Sequence, residues 1–186
     1  CGQRDQKTGG VPMIPCKKLL VVVDMQEDFI GGALGTKEAQ AVLPRVRERI
    51  AAARKDGYAV AFTRDTHTQG YLSTREGKNL PVPHCIAGSA GWQLAEGLAQ
   101  AGDKIFDKPT FGSTALAEYA AAEGFAQIEL VGVCTDICVI SNALLLKAYL
   151  PEAEISVRAD CCAGVTPESH ARALDAMAAC QVEILR

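Results

Sequence analysis

Six short apolar segments that alternate with stretches of helical periodicity are the feature that most restricts the fold of this chain. Such alternation predicts an α/β fold, in which helices cover both faces of a parallel sheet through right-handed crossovers. We expect a three-layer α/β/α domain with a six-stranded, mainly parallel sheet in the Rossmann-like order 3-2-1-4-5-6. The predicted strands are residues 19–23, 58–63, 104–107, 128–133, 154–159 and 182–185. The predicted helices are residues 36–55, 92–100, 113–122, 142–149 and 167–180.

The length and charge of the chain bound the classes of protein to which it can belong. Its 186 residues fit one domain, and we expect a flexible arm at residues 1–17 followed by a single domain at residues 18–186. The longest apolar run, residues 19–23, is far too short to cross a bilayer, so no membrane-spanning segment is expected. The 19 lysines and arginines form no basic stripe, which argues against a nucleic-acid partner.

The eight cysteines are more consistent with free thiols than with a disulfide framework. Several lie inside predicted strands or helices, and a domain of this size needs no covalent cross-links for stability. No CxxC pair occurs, and the spacing of Cys134 and Cys138 does not match a usual zinc knuckle. We therefore expect a reducing compartment and a cytoplasmic location.

The stretch LVGVCTDICV, residues 130–139, is where a buried strand runs through a short turn into a helix. Thr135 or Asp136 can cap that helix and leave Cys138 in its first turn. Free backbone N–H groups and the helix dipole at this position favour a thiolate, and the same N–H groups could stabilise an oxyanion. Cys138 is therefore a candidate nucleophile, although a small buried core residue is the alternative.

Two charged residues at strand ends are candidates for work beside Cys138. Asp24 follows the first strand, which the predicted order places next to the fourth. A carboxylate there can take the thiol proton and later give it to a leaving amine. Lys108 follows the third strand; a solvated lysine is the default, but one folded over the site would lower the thiol pKa.

The long loop at residues 64–91 holds two of the three histidines and has the composition of a functional segment. Asp65 and His67 alternate on an extended stretch, so both side chains can point the same way. With His84, and with Glu76 as a further oxygen donor, they form a nitrogen and oxygen set suited to zinc, iron or manganese. Histidines exposed on a loop surface are the alternative.

Four motifs occur in a fixed order along the chain: the VVVDMQEDF strand end, the TRDTH…HC loop, the lysine after the third strand, and GVCTDICV. They resemble those of the isochorismatase-like cysteine hydrolases, and among these most closely those of the nicotinamidases and pyrazinamidases. Each is weak alone, but the four together are specific, and the resemblance covers residues 18–186.

The resemblance implies a role for each of the matching positions. Asp24, Lys108 and Cys138 would form the catalytic triad. A cis peptide bond would precede Cys134, and the N–H groups of Cys134 and Cys138 would form the oxyanion hole. The implied metal ligands are Asp65, His67 and His84, with Glu76 as a further ligand found in some members. The implied aromatic residues of the substrate pocket are Phe29 and Phe111. Trp92 is a further candidate for the pocket, or else part of the core.

The expected activity is that of a metal-containing amidohydrolase. It would convert nicotinamide, or a pyrazinamide-like heteroaromatic amide, to the acid and ammonia through a cysteine thioester. The metal would be zinc, with iron or manganese as alternatives, and the family resemblance also favours a homo-oligomer. A hydrolase of carbamoyl amides or maleamate, and a non-catalytic metabolite-binding protein on the same fold, remain open. Thr66, where many nicotinamidases have an aromatic residue, bears on the choice of substrate.

Overall fold

The computed structural model describes residues 16–186, so the predicted arm lies mostly outside the described residues. The described part contains one sheet whose strands are β1 (Lys18–Val23), β2 (Ala59–Asp65), β3 (Lys104–Lys108), β4 (Gln127–Val133), β5 (Glu154–Ala163) and β6 (Glu183–Leu185). The strand order is β3-β2-β1-β4-β5-β6, and every pairing is parallel. The predicted fold and strand order are confirmed.

Helices cover both faces of this sheet. They are α1 (Glu27–Ile30), α2 (Lys37–Lys55), α3 (Arg75–Asn79), α4 (Thr114–Glu123), α5 (Ile140–Tyr149) and α6 (Pro167–Ala179). Thr36 caps α2 by accepting a hydrogen bond from the Ala39 N–H, and Ser113 caps α4 in the same way. Within residues 16–186, no helix has both the length and the apolar character required to traverse a bilayer.

The alternation of side chains along β1 builds a core on each face of the sheet. Leu20 and Val22 pack with the apolar side of α2, whereas Leu19, Val21 and Val23 pack against the layer that contains α4, α5 and α6. All five side chains are fully buried. A strand that is apolar on both faces is what a central parallel strand requires, and the position of β1 sets the centre of the fold.

The helix predicted for residues 92–100 is wrong. Backbone groups in this segment bond to the chain after β1: Glu27 N–H donates to the Gln93 carbonyl, and Ala95 N–H donates to the Met25 carbonyl. Gly97, with φ +75°, interrupts the segment further. The apolar spacing does mark buried positions, because Ala95 and Leu98 are buried. The backbone hydrogen bonds, however, are made to a distant segment of the chain and not within a helix.

Two strands continue further than their sequence patterns indicate. β2 extends to Asp65 and β5 extends to Ala163, which carries both strands to the edge of the sheet where the candidate residues lie. The pairing of β4 with β5 shifts in register between Leu130 and Gly132, and this irregularity interrupts the simple alternation of buried positions.

Candidate active site and metal centre

The carboxyl ends of β1 and β4 lie side by side and bring two candidate residues together. Val23 pairs with Gly132 in the sheet, so the residues that follow these strands meet at one edge. Gly132 has φ +119°, and a Cβ atom there would overlap the carbonyl oxygen of Val23. Glycine at this position lets the strands approach closely, and Asp24 and Cys138 lie at the resulting junction.

Asp24, Lys108 and Cys138 form a buried group at this junction. Lys108 Nζ lies 2.7 Å from Asp24 Oδ2 and 3.5 Å from Cys138 Sγ. The three residues are 0%, 1% and 5% exposed. Because β2 separates β3 from β1 by roughly 10 Å in total, only a long side chain from β3 can reach this point. Lys108 is therefore buried, whereas a solvated lysine is the default expectation from the sequence.

Burial and mutual charge set the protonation of these three groups. Burial raises the pKa of the Cys138 thiol, the charge of Asp24 raises it further, and Lys108 opposes both. Burial lowers the pKa of Lys108, but the charges of Asp24, Cys138 and Asp65 together outweigh burial and the net shift is upward. Burial also raises the pKa of Asp24, and the charge of Lys108 opposes that rise. The site therefore favours a protonated Cys138 thiol, instead of the thiolate that a helix start alone predicts.

Thr63 holds the Asp24 carboxylate in place from the neighbouring strand. Its hydroxyl donates to Asp24 Oδ1 at 2.6 Å, and the Asp24 N–H lies 3.3 Å from the same hydroxyl oxygen. Asp24 has φ +48°, a left-handed conformation that is unfavourable for a residue other than glycine. The strained backbone and the Thr63 bond together direct Oδ2 toward Lys108 and Cys138.

The loop after β2 brings four candidate metal ligands together beside this group. One ligand atom from each of Asp65, His67, Glu76 and His84 lies within 4.8 Å of the others. Asp65 Oδ2 is 3.0 Å from His67 Nε2 and 3.3 Å from His84 Nε2, and Glu76 Oε1 is 3.6 Å and 3.8 Å from the same nitrogens. The sequence pattern predicts that the side chains of Asp65 and His67 point the same way from an extended stretch, and in the structure their ligand atoms lie close together.

The hydrogen bonds around the four residues fit a bound divalent metal. His84 Nδ1 lies 2.8 Å from the Val82 carbonyl oxygen, to which it can donate, and this leaves Nε2 free as a ligand. Asp65 Oδ1 is buried and has no hydrogen-bond partner within residues 16–186. Burial raises the pKa of Asp65, but the neighbouring His67, His84 and Lys108 together outweigh burial, so the net shift is downward and the carboxylate is ionised. Two imidazoles and two carboxylates suit zinc, iron or manganese.

A cavity of about 230 Å³ connects the two groups of residues. It is lined by Phe29, Leu34, Thr36, Asp65, Glu76, Leu80, His84, Phe111, Cys134, Ile137, Cys138 and Val165. Phe29 and Phe111, the predicted aromatic residues of the pocket, are among these. Its apolar walls and few convergent polar groups are typical of a small-molecule site.

Trp92 lies away from the cavity and has structural contacts of its own. Its Nε1 donates to Thr66 Oγ1 at 2.8 Å, and the Arg64 guanidinium lies 3.7 Å from the centre of its ring. In the part of the chain that the structure describes, it is not one of the residues that line the cavity. Trp92 is half-buried and packs over the end of β2.

The turn that carries Cys138 differs from a capped helix start. Residues Thr135–Val139 form a π-helical turn that leads into α5, and within the described residues no side chain caps it. The expected capping by Thr135 or Asp136 is therefore wrong, and these side chains bond to other elements. The peptide bond between Val133 and Cys134 is cis, as the resemblance implies. Asn142 Nδ2 donates to the Cys138 carbonyl at 2.8 Å and supports the turn from α5.

Comparison with known proteins identifies the family to which this chain belongs. A model of the isochorismatase domain matches residues 18–186. This chain belongs to the isochorismatase domain family. The match spans every strand and helix described above, so the sheet, the Asp24–Lys108–Cys138 group and the four candidate ligands all lie within the family's domain.

Several known proteins are similar to this chain over most of its length. The nicotinamidase/pyrazinamidase of Mycobacterium tuberculosis is 26% identical over an alignment 185 residues long, which covers 90% of this chain and 98% of that protein. The pyrazinamidase of Pyrococcus horikoshii, solved in complex with zinc, has a TM-score of 0.81 at 30% identity and covers 91% of this chain and 99% of its own. N-carbamoylsarcosine amidase from Thermoplasma acidophilum has a TM-score of 0.76 at 26% identity, with 91% and 96% coverage.

Gln26 is a residue that the sequence analysis did not single out, although it lies in the VVVDMQEDF motif of this isochorismatase domain. Its fully buried side chain binds both backbone groups of Asp65: Oε1 accepts from the N–H at 2.7 Å, and Nε2 donates to the carbonyl at 2.9 Å. Nε2 also donates to the Trp92 carbonyl. A glutamine three residues after an apolar strand is the only signal of this role, because its partners are distant in sequence.

Proposed function

We propose that this isochorismatase-family protein is a metal-containing amidohydrolase that converts nicotinamide, or a similar heteroaromatic amide, to the acid and ammonia. The observation that carries the proposal is a single small cavity lined by both a buried thiol and three members, Asp65, Glu76 and His84, of a four-residue nitrogen and oxygen ligand set. The thiol has a carboxylate and an ammonium beside it. These are the parts that nucleophilic attack on a carboxamide requires.

In the first half-reaction, Asp24 accepts the proton of the Cys138 thiol while Sγ attacks the amide carbonyl carbon. The developing oxyanion is stabilised by the backbone N–H groups of Cys134 and Cys138. Asp24 then gives its proton to the amide nitrogen, the C–N bond breaks, and ammonia leaves. A thioester between the acyl group and Cys138 remains. Lys108 keeps its positive charge throughout and stabilises the anionic form of its two neighbours.

In the second half-reaction, water attacks the thioester carbonyl carbon and Asp24 accepts a proton from that water. The same oxyanion contacts apply. Collapse of the intermediate breaks the C–S bond and releases the acid, and the proton returns from Asp24 to Sγ. One amide and one water are consumed for each acid and ammonia released, and the enzyme returns to its starting protonation state.

Asp65, His67, Glu76 and His84 are the residues that would hold the metal. When bound, a divalent metal supplies a Lewis acid that can bind a ring nitrogen of the substrate. Phe29 and Phe111 would pack on the ring and exclude water from the thiol. Because this arrangement favours a ring with a nitrogen lone pair, nicotinamide and pyrazinamide are the first substrates to test.

A hydrolase of another small amide is the second candidate. It is supported by the similarity to the N-carbamoylsarcosine amidase of Thermoplasma acidophilum, which resembles this chain at 26% identity. The ligand set beside the thiol favours the heteroaromatic amide, because carbamoyl amides carry no ring nitrogen for a metal to bind. A homo-oligomer and a cytoplasmic location stay predictions from the sequence.

The deciding experiment measures ammonia release from nicotinamide and metal content on the same purified sample. We expect catalytic turnover together with roughly one zinc, iron or manganese ion per chain, as one four-ligand site requires. Bound metal without ammonia release would contradict nicotinamide as the substrate, and a panel containing pyrazinamide, N-carbamoylsarcosine and maleamate would then separate the two candidates.

Replacing His84 with alanine is expected to remove the metal. Loss of a hydrogen-bond partner behind a ligand costs roughly 10–100-fold in metal affinity, so loss of the ligand itself should cost more than about 100-fold. Elemental analysis after dialysis and a metal titration followed by calorimetry measure this. Arg75→Gln, an exposed change in the same loop, is the matched control and should keep its metal. A His84→Ala protein with full metal content would move the site elsewhere.

A further inference from the structure

The start of α6 is bonded directly to the turn that carries Cys138. Thr135, the first residue of that turn, is completely buried, and its Oγ1 lies 2.7 Å from Nδ1 of His170 on α6. Thr135 is therefore the residue through which a separate helix reaches the candidate nucleophile. A buried hydroxyl needs such a partner, because leaving it unpaired is costly.

A second bond joins the same two elements. The Val165 N–H, in the connection between β5 and α6, donates to Asp136 Oδ1 at 3.1 Å. Gly164 lets that connection pass close to the helix, since a Cβ there would come within 2.9 Å of the His170 Cβ. Val165 also lines the cavity. The β5–α6 connection and α6 thus contact the Cys138 turn at two adjacent residues, Asp136 and Thr135, and the connection forms part of the cavity wall.

We propose that His170 is a positioning residue, which holds the Cys138 turn in its attacking geometry through the hydroxyl of Thr135. The proposal rests on the proposed function, because it concerns the same thiol. The turn needs external support, since no side chain of the described residues caps it. Asn142 fixes its carbonyl side from α5, and His170 fixes its beginning from α6.

The ring of His170 is suited to this role at neutral pH. Burial lowers its pKa, although the charge of Asp136 opposes the shift. The Nδ1 of a neutral ring can accept a hydrogen bond from the Thr135 hydroxyl or donate one to the hydroxyl oxygen, so the bond persists in either tautomer. A phenylalanine at position 170 would fill a similar volume without the bond, and an asparagine would restore a polar atom near the position of Nδ1.

The test compares His170→Phe, His170→Asn and Thr135→Val. We expect His170→Phe to lower kcat roughly 10-fold with KM changed less than about 2-fold, because the substrate pocket is intact while the thiol is misplaced. His170→Asn should recover most of that loss. The His170→Phe/Thr135→Val double variant should lose no more than the worse single variant, since both remove one bond. Arg172→Gln, exposed on the same helix, is the control.

A second measurement needs no substrate and so separates this proposal from the proposed function. Iodoacetamide alkylation, followed by peptide mass spectrometry, should label Cys138 roughly 10-fold faster in His170→Phe, because the turn opens and exposes a buried thiol. Cys162, buried in β5, is the internal reference and should label at the wild-type rate. Equal acceleration at both cysteines would indicate general destabilisation and overturn the proposal. An unchanged kcat in His170→Phe would also overturn the proposal. So would a loss of kcat in the double variant that equals the product of the losses in the two single variants.

Discussion

Replacing Cys138 with alanine is expected to abolish amide hydrolysis while the metal content stays at the wild-type level. The thiol is the group that attacks the amide in the proposed mechanism, and removing such a nucleophile costs on the order of 10⁴-fold or more in kcat. The methyl group of alanine leaves the polar contacts of Asp24 with Lys108 and Thr63 intact. Ammonia release at saturating nicotinamide, with metal analysis on the same protein, measures the effect.

Two further variants sharpen the Cys138 experiment. Cys180→Ala removes an exposed free thiol outside the site and should keep full activity, which excludes a general effect of thiol loss. In the wild-type protein, rapid quenching during turnover should trap an acyl adduct whose mass maps to the peptide containing Cys138. Activity within about 10-fold of wild type in Cys138→Ala, a far smaller loss than nucleophile removal causes, would exclude it as nucleophile.

Replacing Asp24 with asparagine is expected to lower hydrolysis and, in the same protein, to make Cys138 more reactive toward alkylation. Asparagine cannot accept the thiol proton, and loss of a general base costs roughly 10²–10⁴-fold in kcat. The charge of Asp24 raises the pKa of Cys138, whereas Lys108 opposes that shift. Without the carboxylate the pKa of the thiol should fall, so the midpoint for iodoacetamide labelling should move to lower pH.

A fall in the rate of hydrolysis together with a rise in the rate of Cys138 alkylation distinguishes a role in proton transfer from general damage to the site. Thr63→Val is the matched control, because it removes the hydrogen bond to Asp24 Oδ1 but keeps the carboxylate. It should cost less than about 10-fold in kcat, as expected for one hydrogen bond. If hydrolysis and alkylation both fell by similar factors in Asp24→Asn, Asp24 would be a structural partner of Lys108 and not the base.

Local sequence patterns were sufficient for the sheet and for the neighbours of the site. The apolar run of β1 and the strand that leads to Cys138 predict central strands, and the common strand order then places Asp24 beside Cys138. The spacing of Asp65 and His67 likewise predicts convergence. These inferences succeed because the carboxyl ends of parallel strands share one edge, so that position along the chain determines position in the fold.

The tertiary structure alone decided the features that depend on contacts between distant segments. Residues 92–100 have helical spacing, yet their backbone bonds to the segment after β1 instead of to itself. Thr135 resembles a helix cap, but its hydroxyl is bonded to His170, 35 residues away. Lys108 is buried because Asp24 and Asp65 surround its ammonium.

The protonation state of Cys138 is a further feature that the tertiary structure decided. From the sequence, the helix start at Cys138 favours a thiolate, whereas the folded chain buries the thiol beside Asp24 and raises its pKa. Periodicity records which faces of an element are apolar, and this was enough to determine the α/β architecture and the edge of the sheet where the site lies. Desolvation, charge pairing and hydrogen bonds between remote residues depend on three-dimensional distance, so only the folded chain decides them.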